Sequence, residues 1–408
     1  MNCRNCNKEL KHTFVDLNSS PPSNSYLTEN DLFHVEKKYP LKVRVCNHCW
    51  LTQTEDFVRE NEMFSDDYAY FSSFSSSWLT HAKSYVIRMI NKFNLSSKSL
   101  VVEVAANDGY LLQYVKEFSI PCYGIEPTKS TAKVAQEKGI KIIEDFFGAS
   151  LANELVLKFG HVDFMIANNV LAHVPNINDF VEGFHILLKP TGIATFEFPH
   201  LLNLVLMNQF DTIYHEHYSY LSIIAIESIF KKNGLMIFNI EKIPTHGGSL
   251  RVFVQKKLTG EHNVNESVAF FRDIEIKNGM RSINFYKGFQ VKTEKITNDF
   301  LSFLNQAKTE GKKVVAYGAA AKGNTIMNFA GIDSTLINYV VDKNPSKQGK
   351  YMPGSHIPIV SESLLQNDKP DFIVILPWNI KSEIISQLKY SRIWGCKFVT
   401  AVPKLEII

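Results

Sequence analysis

Apolar runs recur along the chain and alternate with segments whose apolar positions follow a helical period. Leu100–Val104 is one such run, and it leads into a tight turn, Ala105–Gly109, and then into a helix from about Tyr110. A second apolar run ends at the acidic Glu126. A strand, a turn of small residues, a helix and another strand form the βαβ unit of a nucleotide-binding sheet. The pattern therefore predicts an α/β domain in the middle of the chain.

The same plan returns in the last hundred residues. Val314–Tyr317 predicts a strand, the loop GAAAKGN and a helix follow, and the next strand ends at Asp342. The loop lacks the G-K-[ST] ending of a phosphate-binding P-loop, so ATP hydrolysis is not indicated. A glycine-rich loop with Lys322 at a helix N-terminus suits a diphosphate, and NAD is the rival ligand with Asp342 at its ribose. The charged, amphipathic and proline-free residues 261–310 predict connecting helices.

Four of the six cysteines form two C-x-x-C pairs near the N-terminus, Cys3/Cys6 and Cys46/Cys49. Two such pairs supply the four thiolates of a tetrahedral zinc site, and four thiolates leave no open position, which indicates a structural ion. The residues between the pairs must form a loop or a small hairpin, and Asn18–Tyr26 fits a surface excursion. A nucleic-acid finger is the rival, but no basic helix adjoins the pairs.

Composition narrows the class of protein. The chain has 408 residues, 45% hydrophobic and 21% charged, with 44 Lys+Arg against 41 Asp+Glu. These values are typical of a globular protein of two or three domains, and the small net charge argues against a nucleic-acid partner. The N-terminus lacks the apolar core of a signal peptide, and no run approaches the ~20 apolar residues of a membrane helix. We expect a cytoplasmic protein that acts on a small molecule, as a monomer or weak dimer.

The strand ends of the central domain predict a methyl-donor site. The dinucleotide fingerprint G-x-G-x-x-G is absent, since the first loop has the single glycine Gly109, so a pyrophosphate is poorly accommodated. A ligand with a ribose and a charged amino-acid tail, S-adenosylmethionine, fits better. Ligands of open α/β sheets bind outside the carboxyl ends of the strands. The candidate cofactor residues at those ends are Glu103, Ala105, Asn107, Gly109, Glu126, Asp145, Phe146 and Asn168.

The segment IYHEHYSY, Ile213–Tyr220, concentrates candidate acid–base groups between two apolar runs. His215 and His217 are two residues apart, which is not the H-E-x-x-H spacing of a helical zinc site. The alternative is an interfacial loop in which histidine and tyrosine only pack. Because adjacent residues of a strand point to opposite faces, Glu216 and His217 share a pocket only if the segment is irregular or helical.

Two further stretches predict ligand contacts. Asp67–Trp78 alternates aromatic residues with serines, and it is either a linker or a loop that presents Tyr68 or Tyr70 to a ligand. THGGSLRVFVQ, Thr245–Gln255, is a Gly-Gly turn into a strand that either supplies donors or closes a hairpin.

Across nearly its full length the chain resembles the nucleotide-sugar C-methyltransferases. The matching blocks are the cysteine pairs, VEVAANDGYLL with GIEP, NNVLAHVPN, YHEH, HGGSLRVFV and YGAAAKGNT with YVVDKNPSKQGKYMPG. One departure is Ala106, where serine is common in the family. The resemblance implies S-adenosylmethionine in the central domain and an NDP-4-keto-6-deoxysugar between the central and C-terminal domains, methylated at C3 or C5.

The resemblance also implies roles for residues. His217 is the base, with Glu216 orienting it or sharing its proton. Tyr214, His173 and Tyr70 or Tyr68 are donors to the substrate or to its enolate. The remaining candidate substrate residues are Asn169, His246, Tyr317, Gly318, Lys322, Asn324, Thr325 and Asp342. Two alternatives stay open, an NAD-dependent nucleotide-sugar oxidoreductase and a non-catalytic nucleotide-sugar-binding protein.

The expected architecture is α/β with four parts. Residues 1–70 form the zinc-binding module and 71–260 a Rossmann-like S-adenosylmethionine-dependent methyltransferase domain. Residues 261–310 form a helical connector and 311–408 a Rossmann-like nucleotide-sugar-binding domain.

Overall fold

A computed structural model describes residues 1–55, 57 and 71–408, and three β-sheets organise them. The strands are β1 (His12–Ser20), β2 (Tyr39–Val45), β3 (Thr52–Thr54), β4 (Val101–Val104), β5 (Cys122–Ile125), β6 (Ile142–Ile143), β7 (Val162–Asn168), β8 (Leu188–Pro199), β9 (Ser219–Tyr220), β10 (Leu235–Ile243), β11 (Ser249–Lys256), β12 (Val314–Tyr317), β13 (Val340–Val341), β14 (Ile359–Val360), β15 (Phe372–Ile375), β16 (Lys397–Thr400) and β17 (Glu406–Ile407).

Helices connect and cover the sheets. The α-helices are α1 (Ser76–Phe93), α2 (Leu112–Glu117), α3 (Lys129–Glu137), α4 (Ala149–Phe159), α5 (Ile177–Leu187), α6 (Leu201–Leu206), α7 (Ile223–Lys232), α8 (Glu266–Lys277), α9 (Ile283–Tyr286), α10 (Phe289–Thr309), α11 (Ala321–Ala330), α12 (Leu364–Asp368) and α13 (Lys381–Gln387). Three short 3-10 turns bear on the site: Leu171–His173, Phe210–Thr212 and Thr245–Gly247. Across residues 1–55, 57 and 71–408, no helix combines the length and apolarity needed to cross a bilayer.

The central sheet has seven strands in the order β10-β11-β8-β7-β4-β5-β6. Strands β4 to β8 run parallel, and β11 is antiparallel to both of its neighbours. β4 is buried along its whole length because helices cover both faces of the sheet, which explains why it reads as a continuous apolar run. The chain leaves β4 toward β5 and β6 and later returns to its other side with β7. This change of direction creates the crevice in which such sheets bind ligands.

The C-terminal sheet repeats this logic with six strands in the order β14-β13-β12-β15-β16-β17, all parallel except β17. Its change of direction lies between β12 and β15, so the loops that follow these two strands border a second crevice. Helices α8, α9 and α10 occupy the stretch predicted to connect the two domains. The predicted zinc module, followed along the chain by two Rossmann-like α/β sheets, is confirmed.

The N-terminal module packs between the other parts rather than standing apart. Strands β1, β2 and β3 form an antiparallel sheet whose fourth strand, β9, is the last two residues of IYHEHYSY. A bulge in β1 turns both Phe14 and Val15 inward, and the Phe14 ring stacks on Phe289 of α10 with ring centres 4.5 Å apart. Asn18–Tyr26 is not the expected surface excursion, because Ser20 and Ser23 within it are buried.

Candidate active site

The four cysteines of the two C-x-x-C pairs converge on one point. Their sulfur atoms all lie within 4.8 Å of one another, and the Sγ atoms of Cys3 and Cys49, like those of Cys6 and Cys46, are 3.5 Å apart. Tetrahedral zinc with Zn–S bonds of about 2.3 Å needs sulfur atoms roughly 3.8 Å apart. Gln53 donates from Nε2 to Sγ of Cys3 at 3.2 Å, as outer groups do when they orient metal ligands. The donor set therefore fits a structural zinc ion.

The zinc module is joined directly to IYHEHYSY. Strand β3 pairs with β9, which places Thr52 opposite Tyr220. The Arg4 side chain, from the first cysteine knuckle, donates to the carbonyl of Thr54 at 3.2 Å and also to that of Tyr218. A metal ion that fixes this cysteine knuckle therefore also fixes the C-terminal end of IYHEHYSY.

The loop after β4 has a strained backbone. Ala105 and Asn107 both adopt positive φ, 59° and 49°, a conformation that costs a residue with a Cβ about 1 kcal/mol or more. Gly109 has φ of 74°, and a Cβ there would lie 2.4 Å from Cδ1 of Ile140. This conformation turns the Asn107 N–H toward β5, where it donates to Oε2 of Glu126 at 2.9 Å. The loop and the second-strand carboxylate thus form one rigid unit.

All eight predicted cofactor residues lie at the carboxyl ends of β4, β5, β6 and β7. Glu103 is buried, and its burial raises the pKa of its carboxyl well above the usual value. Asp145 and Phe146 follow β6 with exposed side chains. Asn168 ends β7, and its Oδ1 is buried without a partner among the described residues. Buried polar atoms without a partner mark a place for a polar ligand, so these residues fit S-adenosylmethionine.

The methyl-donor loop also holds the segment that follows the predicted aromatic residues. Oδ1 of Asn107 accepts from the backbone N–H of Ser72 at 2.9 Å. The sequence predicted Asn107 as a cofactor residue but did not predict this contact. Tyr68 and Tyr70 lie outside the described residues, and their assignments stay predictions.

Residues 213–218 of IYHEHYSY form an irregular turn, and the last two residues of the segment belong to strand β9. The backbone N–H of His217 donates to the carbonyl of Tyr214 at 2.9 Å, so the two residues are the ends of a four-residue turn with adjacent side chains. Nδ1 of His217 lies 2.7 Å from the carbonyl oxygen of Thr212, and Nε2 lies 2.7 Å from the Tyr214 hydroxyl. A carbonyl only accepts, so Nδ1 carries the proton and Nε2 accepts from Tyr214. The base form of the imidazole is fixed in one tautomer.

Burial keeps this base neutral. Desolvation lowers the pKa of His217 well below its usual value, and the charge on His173 and Lys322 lowers it further. His173 lies beside it, with ring centres 4.7 Å apart, and burial lowers its pKa to about 4 although a hydrogen bond to the Glu216 backbone raises it. Asn169, at the start of the same loop, has φ of 54° and a side-chain amide without a partner among the described residues.

Glu216 faces a different neighbour from His217. Its Oε1 accepts from Nδ2 of Asn24 at 2.6 Å, and the side chain is buried. His215 is also buried, and its Nε2 donates to the backbone carbonyl of Tyr39 at 3.1 Å. The irregular backbone that the sequence required for Glu216 is therefore present, but its carboxylate contacts the N-terminal module.

The HGG turn presents His246 from a strained loop. His246, Gly247 and Gly248 have φ of 52°, 85° and 110° in succession. The His246 ring lies 5.3 Å from that of Trp78, and burial lowers the pKa of the imidazole to about 3. A Cβ on Gly247 would lie 2.6 Å from the Trp378 ring of the C-terminal domain, so only glycine allows this approach.

The C-terminal loop is held by its own domain. Asp342 Oδ2 accepts from the N–H of Ala319 at 2.7 Å, which is the arrangement expected of an acidic second-strand residue beside a glycine-rich loop. Gly318 has φ of 90° and contacts Pro377, where a Cβ would be 2.6 Å from the ring. Tyr317 points to the opposite side of the sheet and donates to Oε2 of Glu362 at 3.0 Å. The structure therefore does not bring Tyr317 together with the other candidate residues.

The first turns of α11 dock on the other two parts of the chain. Asn324 donates to the carbonyl of Ser23 at 2.5 Å, and Thr325 donates to that of Ile213 at 2.8 Å. Both side chains are buried. The sequence predicted them as substrate residues, but their hydrogen bonds are to protein backbone, and they fix helix α11 against IYHEHYSY.

Two residues that the sequence did not single out complete the site. Trp378, which follows β15, donates from Nε1 to Oδ2 of Asp211 at 2.7 Å, and Lys322 lies 4.8 Å above the Trp378 ring. Asp211 is buried, and burial raises its pKa to about 6. The position of Trp378 at the carboxyl end of a parallel strand was the available signal.

Family models match the chain in three consecutive parts. A zinc binding domain matches residues 3–64, a methyltransferase domain residues 78–239, and a C-methyltransferase C-terminal domain residues 244–403. The chain is also 30% identical over 406 residues to the C-methyltransferase NovU of Streptomyces niveus, a match that spans 100% of this chain and 96% of that protein. The chain belongs to the C-methyltransferase family. This assignment confirms an S-adenosylmethionine-dependent C-methyltransferase with a zinc module, and S-adenosylmethionine and zinc as its cofactors.

Two solved structures show a distant similarity to this C-methyltransferase. Magnesium protoporphyrin IX methyltransferase of Synechocystis is 16% identical, over 44% of this chain and 79% of that chain, with a TM-score of 0.34. Protein PH0226 of Pyrococcus horikoshii is 13% identical, over 49% of this chain and 100% of that chain, with a TM-score of 0.38. Similarity at this level carries no argument about substrate.

Proposed function

We propose that this C-methyltransferase transfers a methyl group to C3 or C5 of an NDP-linked 4-keto-6-deoxysugar by base-catalysed enolate formation. The sugar class comes from the resemblance of the sequence blocks. Three structural features support it: a methyl-donor crevice, an acid–base turn that contacts both other parts of the chain, and a second crevice suited to a nucleotide.

The observation that carries the proposal is the pairing of His217 with Tyr214 and Thr212. The Thr212 carbonyl holds the proton on Nδ1, so the lone pair of Nε2 faces the Tyr214 hydroxyl and can accept its proton. A lowered pKa keeps this nitrogen unprotonated near neutral pH. A general base must be neutral and oriented before the substrate arrives, and both conditions are met here.

The chemistry follows from the acidity of a carbon beside a ketone. The 4-keto group acidifies the hydrogens on C3 and C5, so a base withdraws one of them and the electron pair moves onto the carbonyl oxygen. His217 Nε2 receives a proton through Tyr214: the phenol gives its own proton to the imidazole, and the phenol oxygen takes the proton that leaves the carbon. S-adenosylmethionine supplies an electrophilic methyl group when bound, and the residues at the ends of β4 to β7 would hold it.

Solvent deuterium exchange tests the reaction. The enzyme is incubated in D2O, without methyl donor, with dTDP-, UDP- and GDP-linked 4-keto-6-deoxyhexoses, and exchange at C3 and C5 is followed by NMR. We expect exchange at one carbon in the wild type, its loss in His217→Asn, and its retention in His161→Asn, a surface control. Absence of exchange with every sugar in a protein that binds S-adenosylmethionine would sink the proposal.

Binding measurements separate the two alternatives. S-adenosylmethionine should bind by calorimetry and NAD should not. Tight NAD binding without binding of the methyl donor would favour a nucleotide-sugar oxidoreductase. Binding of both nucleotide sugar and methyl donor without any product would favour a non-catalytic protein.

A further inference from the structure

Lys322 is a half-buried cation whose described neighbours do not neutralise it directly. Its Nζ donates to the amide oxygen of Asn379 at 2.9 Å and lies 4.8 Å above the Trp378 ring. Among residues 1–55, 57 and 71–408, no carboxylate oxygen lies within 4.0 Å of this nitrogen, as the ion pairs of the described chain show. A desolvated ammonium that contacts an amide and an aromatic face, and that makes no direct ion pair with a described carboxylate, is suited to an anionic ligand.

Three consecutive residues of one turn place this lysine beside the base. Thr212 accepts from the imidazole of His217 at 2.7 Å, and the next carbonyl, Ile213, accepts from Thr325 at 2.8 Å. Thr325 lies three residues after Lys322 in α11, so the two side chains share one face of the helix. The residue before Thr212 is Asp211, and it is the carboxylate whose charge acts on Lys322.

Asp211 and Trp378 form a support for the cation. The indole N–H donates to Oδ2 of Asp211 at 2.7 Å, while Oδ1 is buried without a partner among the described residues. The carboxylate thereby fixes the ring on which the ammonium rests. Lys322 also lies near enough to lower the pKa values of both His217 and His246.

We propose that the Lys322 ammonium binds the carbonyl oxygen that becomes negatively charged when His217 and Tyr214 deprotonate the neighbouring carbon, and that Asp211 is its positioning residue, both by its charge and through Trp378. This inference rests on the proposed function and deepens it. It replaces the diphosphate role predicted for Lys322 from the loop sequence. Asn324 and Thr325, on the same turns of helix, bond to Ser23 and Ile213, so this part of the helix faces the base segment.

The electron balance requires such a group. When the C–H bond breaks, its electron pair forms a C=C bond, and the π pair of the carbonyl moves onto oxygen. The ammonium neutralises that charge until the carbon attacks the methyl group. The C=O bond then re-forms and a C–C bond is made, while the S–CH3 bond of the methyl donor would break and leave its electron pair on sulfur. A donor of this kind is worth about 10²–10³-fold in rate in other oxyanion sites.

The test measures deuterium exchange and ligand binding on the same variants, without methyl donor. Lys322→Met should slow exchange about 10²–10³-fold, while the Kd of the matching nucleoside diphosphate changes less than about threefold. Lys322→Arg should restore part of the rate, and Lys343→Met, an exposed lysine of the same domain, should behave as wild type. Exchange near the wild-type rate in Lys322→Met, or a Kd that weakens as much as exchange slows, would overturn the inference.

Asp211→Asn separates positioning from folding. The amide keeps an acceptor for Trp378 but removes the charge beside Lys322. We expect the limiting exchange rate to fall about tenfold with an unchanged KM and an unchanged Tm. A lower Tm with unchanged exchange would show a purely structural role. Absence of exchange in the wild type would instead remove the proposed function itself, so the two failures are distinguishable.

Discussion

The hydroxyl of Tyr214 lies 2.7 Å from Nε2 of His217, and the turn that joins the two residues is closed by a backbone hydrogen bond between them. This contact changes the assignment of roles. The sequence predicts that His217 takes the proton directly from the substrate, but the lone pair of its Nε2 already accepts from the Tyr214 hydroxyl. Tyr214 is therefore part of the base and not only an enolate donor.

Tyr214→Phe should therefore lose deuterium exchange to a similar extent as His217→Asn, by about 10²-fold or more, since general bases contribute 10²–10⁴-fold. The measurement is the exchange rate at saturating nucleotide sugar. Tyr114→Phe, on helix α2 and away from the site, is the control. If Tyr214→Phe exchanges as fast as wild type, His217 acts alone.

Protonation of His246 should couple stability to pH. Its folded pKa is about 3, below the value near 6.5 of an unfolded chain, so the unfolded state takes up the proton first. Stability is then full above pH 6.5 and falls as the pH decreases toward 3, by on the order of 2 kcal/mol at pH 5. Thermal unfolding between pH 7.5 and 5 should show a smaller decrease in His246→Gln. An equal decrease in both proteins would count against this assignment.

Loss of zinc should reach the active site. Cys46→Ser removes one of four ligands, and β3, which follows that knuckle, pairs with the strand after Tyr218. We expect release of about one zinc per chain, measured with a chromogenic chelator, together with loss of exchange. Cys122→Ser, outside the cluster, should keep both. A zinc-free variant that stays folded and active would contradict the role.

Asn24 should matter for activity although it belongs to the N-terminal module. Asn24→Asp places a second carboxylate 2.6 Å from Oε1 of Glu216 in a buried site, where two like charges repel strongly. We expect zinc content to be retained and exchange to fall at least tenfold. Asn30→Asp, which is exposed, is the matched control. Normal exchange in Asn24→Asp would show that Glu216 has no part in orienting the turn.

Glu275 should be a stability residue without a direct role in catalysis. Its carboxylate accepts from the N–H groups of Ile223 and Ile224 at 2.6 and 2.9 Å and lies 2.7 Å from Nε2 of His200. Glu275→Leu leaves these donors buried without an acceptor, so we expect a loss of about 3 kcal/mol in the free energy of unfolding. Glu266→Gln, exposed at the start of the same helix, should change it by less than about 0.5 kcal/mol. Urea denaturation measures both.

Local patterns in the sequence were sufficient for the fold class. The apolar run before Ala105 and the run that ends at Asp342 indicate buried parallel strands because both faces of such strands are covered. The cysteine spacing indicates zinc because few other arrangements use four thiolates in pairs. The cofactor residues follow from the same logic, since parallel strands deliver their carboxyl ends to one edge.

Contacts between distant parts of the chain could not be read from the sequence. The β1 bulge, the docking of Asn24 on Glu216 and the bond from Asn324 to Ser23 join residues that are far apart along the chain. Hydrophobic periodicity specifies which face of an element is buried but not which other element covers it. For this reason the segment around Ser23 read as a surface excursion, although it is an interface.

The sequence by itself determined the zinc ligands, the two Rossmann-like sheets and the presence of acid–base residues in IYHEHYSY. Only the tertiary structure shows that the Tyr214 hydroxyl is hydrogen-bonded to Nε2 of His217 and that Glu216 accepts from Asn24. It alone also shows that Asp211 holds Trp378, whose ring lies beneath Lys322. The physical reason is that ligand type and strand pattern are local properties, whereas tautomer, pKa and charge pairing depend on which groups a folded chain brings within hydrogen-bonding distance.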